Sequence, residues 1–461
     1  EAFGALHPAP KEQVFASMGE AANDCGHSDT LRIVGSVSLA LAVLLVQWLW
    51  ARLRKHVFRK LADRETGEQR RRAAPLAMEL SLTENYPEGS YEALATAGTG
   101  LVNERGFFAT KSGLNIFYQS WVPAASAEVD AAVVLLHGYG DHCDFGMALL
   151  AKSICNVDRT SGRIGAITFD LPGHGRSDGL AWCIRDWFEY VAIVREVLVE
   201  HIKPIVSRWG KSKGPKVFGL GESMGGGVLF SILVQEKDLL DGAIFVCPML
   251  FVAQELLPPW IVIFIFNHIF VHLFPLWPVA PARDLSSKLY SDQSMLLYHR
   301  PKFGKLPSRA SNSSKALLIR CLSRPRVCTA YQCAFVAGEW MRARLGDFDT
   351  PCLILHGSAD EVTDPRMSEE LFSKVRCGDK RLLLRQGSRH CDLLHGGPTQ
   401  TEEVCENFHI IRTWLLDRSC ADRMRGLPNA ELDPAAPNRN ASNCTLADDY
   451  SWHPGVVPEG V

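Results

Sequence analysis

Short, largely apolar runs recur along the middle of the chain, separated by stretches with helical spacing of apolar residues. The runs cover residues 131–136, 165–169, 216–220, 242–247, 352–355 and 381–384. Runs of this length are typical of strands buried on both faces of a parallel sheet. Two earlier runs, 107–110 and 114–121, predict a hairpin. We therefore predict an α/β fold, a mostly parallel sheet flanked by helices, with one helix over roughly 187–206.

A longer uncharged apolar run occupies residues 33–50, near the lower length limit for a helix that spans a bilayer. Nine basic residues follow it between 52 and 72, whereas only Lys11 and Arg32 precede it. The positive-inside rule then predicts a single-pass membrane protein with the folded domain facing the cytoplasm. The alternatives are a buried helix or a cleaved signal peptide, although a signal peptide usually carries its positive charge before the apolar run.

Changes in composition suggest the domain organisation. We predict a polar segment at 1–30, a transmembrane anchor at 31–52, a basic and polar linker at 53–104, a folded domain at 105–418 and a disordered tail at 419–461. Because the chain begins with Glu1, we expect that the natural N-terminus is missing.

Two segments interrupt the strand and helix pattern within the folded domain. Residues 256–277 are almost wholly apolar and aromatic, which a second transmembrane helix would also explain. Three polar residues and flanking prolines weaken that interpretation, so we predict an apolar lid within about 250–300, over a site for an apolar substrate. Residues 301–324 are basic, Ser-rich and unperiodic, which indicates an inserted loop.

Overall composition limits the partners and cofactors of this chain. A net charge of −2 over 461 residues gives no field that would attract nucleic acid. The 14 cysteines show no C-x-x-C pair and no metal-ligand spacing, so free thiols are expected. No metal or organic cofactor is implied, and the sequence does not predict an oligomeric state.

The sequence Gly221-Glu222-Ser223-Met224-Gly225 lies between a predicted strand and a predicted helix. A serine at such a sharp corner has a strained backbone, and glycines two residues away avoid a steric clash. The corner exposes the hydroxyl of Ser223 and directs the N–H of Met224 toward a bound carbonyl oxygen. A Gly-rich turn with an incidental serine is the alternative, which the strand and helix on either side disfavour.

An activated serine needs a base and an orienting carboxylate, which in such a sheet follow in the order Ser, acid, His. Asp360 follows the predicted strand 352–355, with Asp364 as the second candidate. His390 follows the last predicted strand, with His395 as the second candidate. A second oxyanion donor is expected in the loop after strand 131–136, at the N–H of Tyr139.

The motifs together resemble the monoacylglycerol lipase and lysophospholipase-like branch of the α/β-hydrolases, especially its plant caffeoylshikimate esterase-type members. The matching stretches are residues 137–142, 170–177, 221–226, 258–260 and 355–365. The resemblance covers about 105–417 and implies that Ser223 is the nucleophile, Asp360 the acid and His390 the base. The sequence departs from the family pattern at two places. One extra residue precedes the paired leucines after His390, and the loop 301–324 has no clear counterpart in the family.

We therefore expect a membrane-tethered serine hydrolase that cleaves acyl esters, with monoacylglycerol or lysophospholipid as lipid substrate. Acyl transfer or cleavage of phenolic esters by the same three residues remains open. A catalytically inactive hydrolase fold that serves as a membrane-binding module is a further alternative, which the complete set of three residues disfavours.

Overall fold

The structure is a computed structural model, which describes only part of the chain. The described residues are 101–123, 129–143, 146–155, 163–180, 182–210, 214–250, 259–277, 286–292, 325–395 and 402–419. The chain divides into Glu1–Glu65 and Thr66–Val461, and all described residues belong to the second unit. The predicted anchor, the inserted loop 301–324 and the predicted tail 419–461, except for Ser419, lie outside the described residues.

The prediction of a single-pass membrane protein with a cytoplasmic domain needs correction. Within the described ranges, no helix is both long enough and apolar enough to cross a bilayer, which takes about 20 apolar residues. Residues 33–50, on which the prediction rested, lie outside those ranges. The same finding holds for residues 259–277, the described part of the segment 256–277 that a second transmembrane helix would also have explained.

One sheet of eight strands organises the described part of the chain. Its strands are β1 Leu101–Ala109, β2 Asn115–Pro123, β3 Ala131–Leu136, β4 Ile164–Phe169, β5 Lys216–Glu222, β6 Gly242–Val246, β7 Cys352–Gly357 and β8 Lys380–Arg385. They lie in the order β1-β2-β4-β3-β5-β6-β7-β8. The hairpin β1–β2 is antiparallel and β2 pairs antiparallel with β4, whereas every pair from β4 to β8 is parallel. The predicted, mostly parallel sheet is confirmed.

Helices cover both faces of this sheet. The main ones are α1 Gly146–Cys155, α2 Trp187–Glu196, α3 Met224–Leu233, α4 Pro365–Lys374 and α5 Glu402–Ser419. Helix α2 continues through a π-helical segment, Val197–Ile202, to Lys203–Val206, which confirms the predicted helix over 187–206. Further helical segments are Trp260–Ile265, Phe266–Phe270, Val271–Leu273, Ser286–Leu289, Val327–Tyr331, Gln332–Ala337 and Gly338–Arg342, with short 3₁₀ turns at Ser207–Trp209 and Leu345–Asp347.

Strand β3 shows why the apolar runs are continuous. Its residues Ala132, Val134 and Leu136 pack into the core with α2 and α3, and the alternate residues pack into the core with α1 and α5. A strand that is buried on both faces needs apolar side chains at every position, because successive side chains point to opposite faces.

The strand order also determines where a ligand can bind. From β3 the chain crosses to β4 on one side, and from β4 it returns to β5 on the other side of β3. Such a change of direction opens a crevice beyond the carboxyl ends of the two central strands. The loops that leave β3 and β5 at this crevice begin at His137 and Ser223.

The apolar segment predicted to be a lid forms a helix over its described part, in three consecutive pieces from Trp260 to Leu273. Large apolar side chains are exposed along it: Trp260, Ile261, Val262, Phe264, Ile265, Ile269, Phe270, Leu273, Phe274 and Trp277. Its end is bonded to the segment Val327–Tyr331 through the N–H of Val327 to Trp277 O and the N–H of Cys328 to Pro275 O.

Candidate active site

Ser223 stands at the turn between β5 and α3 with φ 49° and ψ −118°. A positive φ is strained for a residue with a side chain, so the surroundings must hold it. The N–H of Ser223 donates to Val246 O at 3.0 Å. Its carbonyl oxygen accepts from the N–H groups of Gly226, Gly227 and Met249 at 3.0, 3.2 and 2.8 Å. Four backbone hydrogen bonds therefore fix the conformation that projects the hydroxyl into the crevice.

The two glycines of the motif are required by close backbone approach. A Cβ atom at Gly221 would lie 2.6 Å from the carbonyl oxygen of Gly225. A Cβ atom at Gly225 would lie 2.3 Å from the carbonyl oxygen of Leu136, at the end of β3. The motif thus packs the serine turn directly against the neighbouring strand, as its spacing predicts.

The structure brings Ser223, His390 and Asp360 together in one chain of hydrogen bonds. His390 Nε2 lies 3.0 Å from Ser223 Oγ, and His390 Nδ1 lies 2.7 Å from Asp360 Oδ2. The three residues come from the loops after β5, β8 and β7, respectively. An imidazole placed in this way can take the hydroxyl proton while the carboxylate holds its tautomer.

Asp360 is held as a carboxylate by its neighbours. Burial would raise the pKa of Asp360, but the charge of His390 and hydrogen bonds with His356 and His390 outweigh it and keep the pKa well below its usual range. Oδ1 accepts the N–H groups of Val362 at 2.7 Å and Thr363 at 3.1 Å, and Oδ2 accepts Thr363 Oγ1 at 2.9 Å. The carboxylate is therefore ionised and fixed in orientation at neutral pH.

The pKa of His390 is shifted in the opposite direction. Burial lowers the pKa of His390, whereas the charge and hydrogen bond of Asp360 and the charge of Glu222 raise it, and the net pKa is raised. A raised pKa makes the imidazole a better proton acceptor and favours the imidazolium that forms during attack by serine.

The second candidates for acid and base lie outside this chain of hydrogen bonds. Asp364 caps the N-terminus of α4, where its carboxylate accepts the N–H and the guanidinium of Arg366. His395 Nε2 lies 2.6 Å from Glu222 Oε1. The extra residue after His390 therefore does not move His395 into the position of the base.

The two predicted oxyanion donors are Met224, which directly follows Ser223, and Tyr139, in the loop after β3. Met224 is the first residue of α3, so its N–H has no acceptor within the helix. Tyr139 follows Gly138, where a Cβ atom would lie 3.3 Å from Ser223 Cβ. The phenol of Tyr139 donates to Trp182 O at 3.0 Å, which holds this residue in the loop.

His137 connects the same loop to a neighbouring one. The N–H of Leu171 donates to His137 Nε2 at 2.9 Å, which leaves Nδ1–H to donate to Gly138 O at 2.8 Å. Burial lowers the pKa of His137, despite the nearby carboxylates of Asp141 and Asp170, so the ring is neutral. It connects the loops after β3 and β4 beside the serine.

Three residues of the site are not anticipated by sequence reasoning. Thr363 Oγ1 contacts both Asp360 and His390, at 2.9 and 3.3 Å, and lies 3.1 Å from Cys247 O. His356 Nε2 lies 3.3 Å from Asp360 Oδ2. Glu222 is the third. The only signal for Thr363 and His356 was their closeness to Asp360 in sequence, and Glu222 occupies the variable position of the serine motif.

Two buried groups in the described residues bring three possible metal ligands within 4.8 Å of one another: Glu222, Cys391 and His395, and Cys247, His356 and Asp360. Each group contains a close carboxylate–histidine contact, Glu222–His395 or Asp360–His356, that already accounts for its closeness. The structure therefore does not require a metal at either place.

The doubly covered sheet, the strained serine between β5 and α3, and the Ser–His–Asp hydrogen bonds define an α/β-hydrolase of the serine type. The family model described as serine aminopeptidase S33 (Hydrolase_4) matches residues 127–395, more than half of the chain. The chain belongs to this family, and it is an enzyme of the serine hydrolase class, as predicted.

Individual relatives confirm the predicted resemblance. A caffeoylshikimate esterase of Arabidopsis thaliana is 28% identical over 68% of this chain and 86% of its own length. The human monoglyceride lipase is 25% identical over 67% of this chain and 88% of its own length. A solved soluble variant of the Saccharomyces cerevisiae monoglyceride lipase, in complex with a substrate analog, shares the fold with a TM-score of 0.51 at 18% identity, covering 69% of this chain and 97% of its own.

Proposed function

We propose that this chain hydrolyses carboxylic acyl esters of lipids, with monoacylglycerol or lysophospholipid as the substrate, through an acyl-enzyme on Ser223. The observation that supports the chemistry is the hydrogen-bond chain from Ser223 Oγ through His390 to Asp360. Arranged in this way, the groups suit nucleophilic attack on an ester carbonyl at neutral pH.

In the first half of the reaction, Ser223 Oγ attacks the acyl carbon while His390 Nε2 takes the hydroxyl proton. The carbonyl electrons move to oxygen, where the N–H groups of Tyr139 and Met224 stabilise the negative charge. Asp360 keeps the proton of the neutral ring on Nδ1, so that Nε2 is free to accept. As the ester bond breaks, the imidazolium gives its proton to the departing alcohol.

In the second half, water attacks the acyl-enzyme and loses its proton to His390. Collapse of the second oxyanion releases the fatty acid, and the proton returns to Ser223 Oγ. Every proton is thus exchanged through Nε2 of one histidine, which explains why its alignment with Ser223 matters in both halves.

The preference for a lipid substrate is supported by the apolar helix from Trp260 to Leu273. Its exposed apolar side chains would suit contact with an acyl chain, and its end is bonded to Val327 and Cys328. Thr329 next to them donates to Trp182 O, the same carbonyl that accepts the phenol of Tyr139. We propose that this helix is part of a lid, within about 250–300, whose base adjoins the oxyanion loop.

A second candidate substrate class is a phenolic ester. It is favoured by the caffeoylshikimate esterase of Arabidopsis thaliana, which shares 28% of its residues with this chain over the aligned region. The same three residues would cleave such an ester, and the acid released would be aromatic instead of aliphatic.

The test combines labelling with a substrate panel. A fluorophosphonate should label the wild-type protein, and Ser223→Ala should abolish both labelling and ester hydrolysis without a change in thermal unfolding. The panel contains monooleoylglycerol, lysophosphatidylcholine and caffeoyl shikimate. Labelling that persists in Ser223→Ala would refute the choice of nucleophile, and labelling without turnover of either lipid would refute the substrate class.

A further inference from the structure

Glu222 directly precedes Ser223, yet its side chain is only 3% exposed. Oε1 lies 2.6 Å from His395 Nε2, and Oε2 has no hydrogen-bond partner within the described part of the chain. Burying a carboxylate that is incompletely bonded costs free energy, and a buried ion pair often adds nothing to stability. The pair is therefore not explained by folding stability alone.

The pair ties a short loop to the serine turn at a second point. The loop from His390 to His395 is closed by a hydrogen bond from the His395 N–H to Cys391 O at 3.1 Å. One end of the loop contacts Ser223 through His390, and the other end contacts Glu222 through His395. Because Glu222 and Ser223 are consecutive residues, both contacts set the same distance between base and nucleophile.

On the basis of the serine mechanism proposed above, we propose that Glu222 is a positioning residue. Through His395 it holds the loop of His390 in line with Ser223, and its buried negative charge stabilises the His390 imidazolium that forms when Ser223 gives up its proton. Charge that is in place before the reaction favours a developing cation without reorganisation cost.

The electrostatic surroundings agree with this role. Burial lowers the pKa of His390, and the two negative charges that raise it are those of Asp360 and Glu222. In the part of the chain that the structure describes, the titratable groups that also lie near the two contacts include His356, Cys247, Cys391, Tyr290 and Asp141. Burial raises the pKa of Cys247 and Tyr290, so that both are neutral at physiological pH.

The experiment measures the second-order rate of fluorophosphonate labelling of the full chain as a function of pH. Labelling requires a nucleophilic serine and its base but no particular acyl substrate, so its outcome does not depend on the substrate class. The variants are Glu222→Gln, which removes the charge and keeps the size, and His395→Gln, which keeps the Glu222 charge. Asp364→Asn is the matched control, since it removes a carboxylate that lies outside the proposed pair.

For Glu222→Gln, we expect the acid limb of the profile to move to lower pH by roughly half a unit to one unit, because a stabilising charge is lost. For His395→Gln, we expect a lower plateau rate, by up to about tenfold, with no shift of the limb to lower pH. Asp364→Asn should leave both the limb and the plateau unchanged.

The proposal is overturned if the acid limb of the Glu222→Gln profile lies at the same pH as that of the wild type. It is also overturned if the acid limb of His395→Gln moves to lower pH by as much as that of Glu222→Gln. If Glu222→Gln does not fold, Glu222→Asp keeps the charge and shortens its reach: a lower plateau with the limb in place supports the proposal, and any other profile refutes it. Failure of the proposed function looks different, since wild-type protein would then not label at all, or Ser223→Ala would still label.

Discussion

Replacing Asp360 by asparagine changes one atom in the centre of the site. Oδ2 accepts hydrogen bonds from His390 Nδ1 and Thr363 Oγ1, and Oδ1 accepts two backbone N–H groups. An amide group in this position must direct its NH₂ toward one of the two sets of donors. If the NH₂ faces His390, the imidazole can relieve the clash only by changing tautomer, and its proton then points at Ser223 Oγ.

The structure therefore predicts that Asp360→Asn loses the base while the fold is kept. In serine proteases such a tautomer change lowers kcat by about 10⁴-fold, which is about 5 kcal/mol of transition-state stabilisation. We expect a loss of that order in kcat for ester hydrolysis, with KM little changed, since Asp360 is buried beneath His390.

Asp364→Asn provides the matched control for this prediction. Asparagine caps a helix about as well as aspartate, so α4 should be preserved, and the ion pair to the exposed Arg366 contributes little. Steady-state kinetics with thermal unfolding of both variants measures the effect. A loss of less than tenfold in Asp360→Asn, or an equal loss in the control, would refute the reasoning.

Other predictions follow from single contacts. The pKa of His390 is raised and its neutral ring is the active form. The kcat/KM of the wild-type enzyme should therefore rise with pH along an acid limb whose midpoint lies above pH 6.5. A midpoint below pH 6.5 would contradict this. Gly225→Ala puts a methyl group 2.3 Å from a backbone oxygen of β3. It should lower the free energy of unfolding, measured by chemical denaturation, by about 1–3 kcal/mol or more. Near-wild-type stability would refute the packing argument. The sulfur atoms of Cys183 and Cys328 lie 3.5 Å apart. Mild peroxide should therefore oxidise the two thiols to a disulfide, which peptide mass spectrometry would detect. A Cys183→Ser variant should lack that cross-link.

Local sequence was sufficient for the central strands of the sheet and for the serine turn, whereas β1 begins at Leu101, within the predicted linker 53–104. Residues 131–136 are apolar at every position because both faces of β3 are covered, and this condition can be read directly from the chain. The glycines at 221 and 225 likewise report a steric requirement that is local to the turn.

The choices between near neighbours depended on tertiary structure. Asp360 and Asp364, like His390 and His395, lie too close in sequence for the position of a loop to separate them. Only the packed structure shows that His390 reaches Ser223 and that His395 reaches Glu222 instead.

Burial is the second property that only tertiary structure decided. A glutamate at the variable position of a serine motif would be taken for a solvent-exposed residue, and the three-dimensional arrangement buries it against a histidine 173 positions away. The apolar content of 256–277 was evident from sequence, but its length as a helix was not, and no helix within the described part, 259–277, is long and apolar enough to cross a membrane. Composition records how apolar a segment is, whereas helix length and burial depend on what the rest of the chain packs against it.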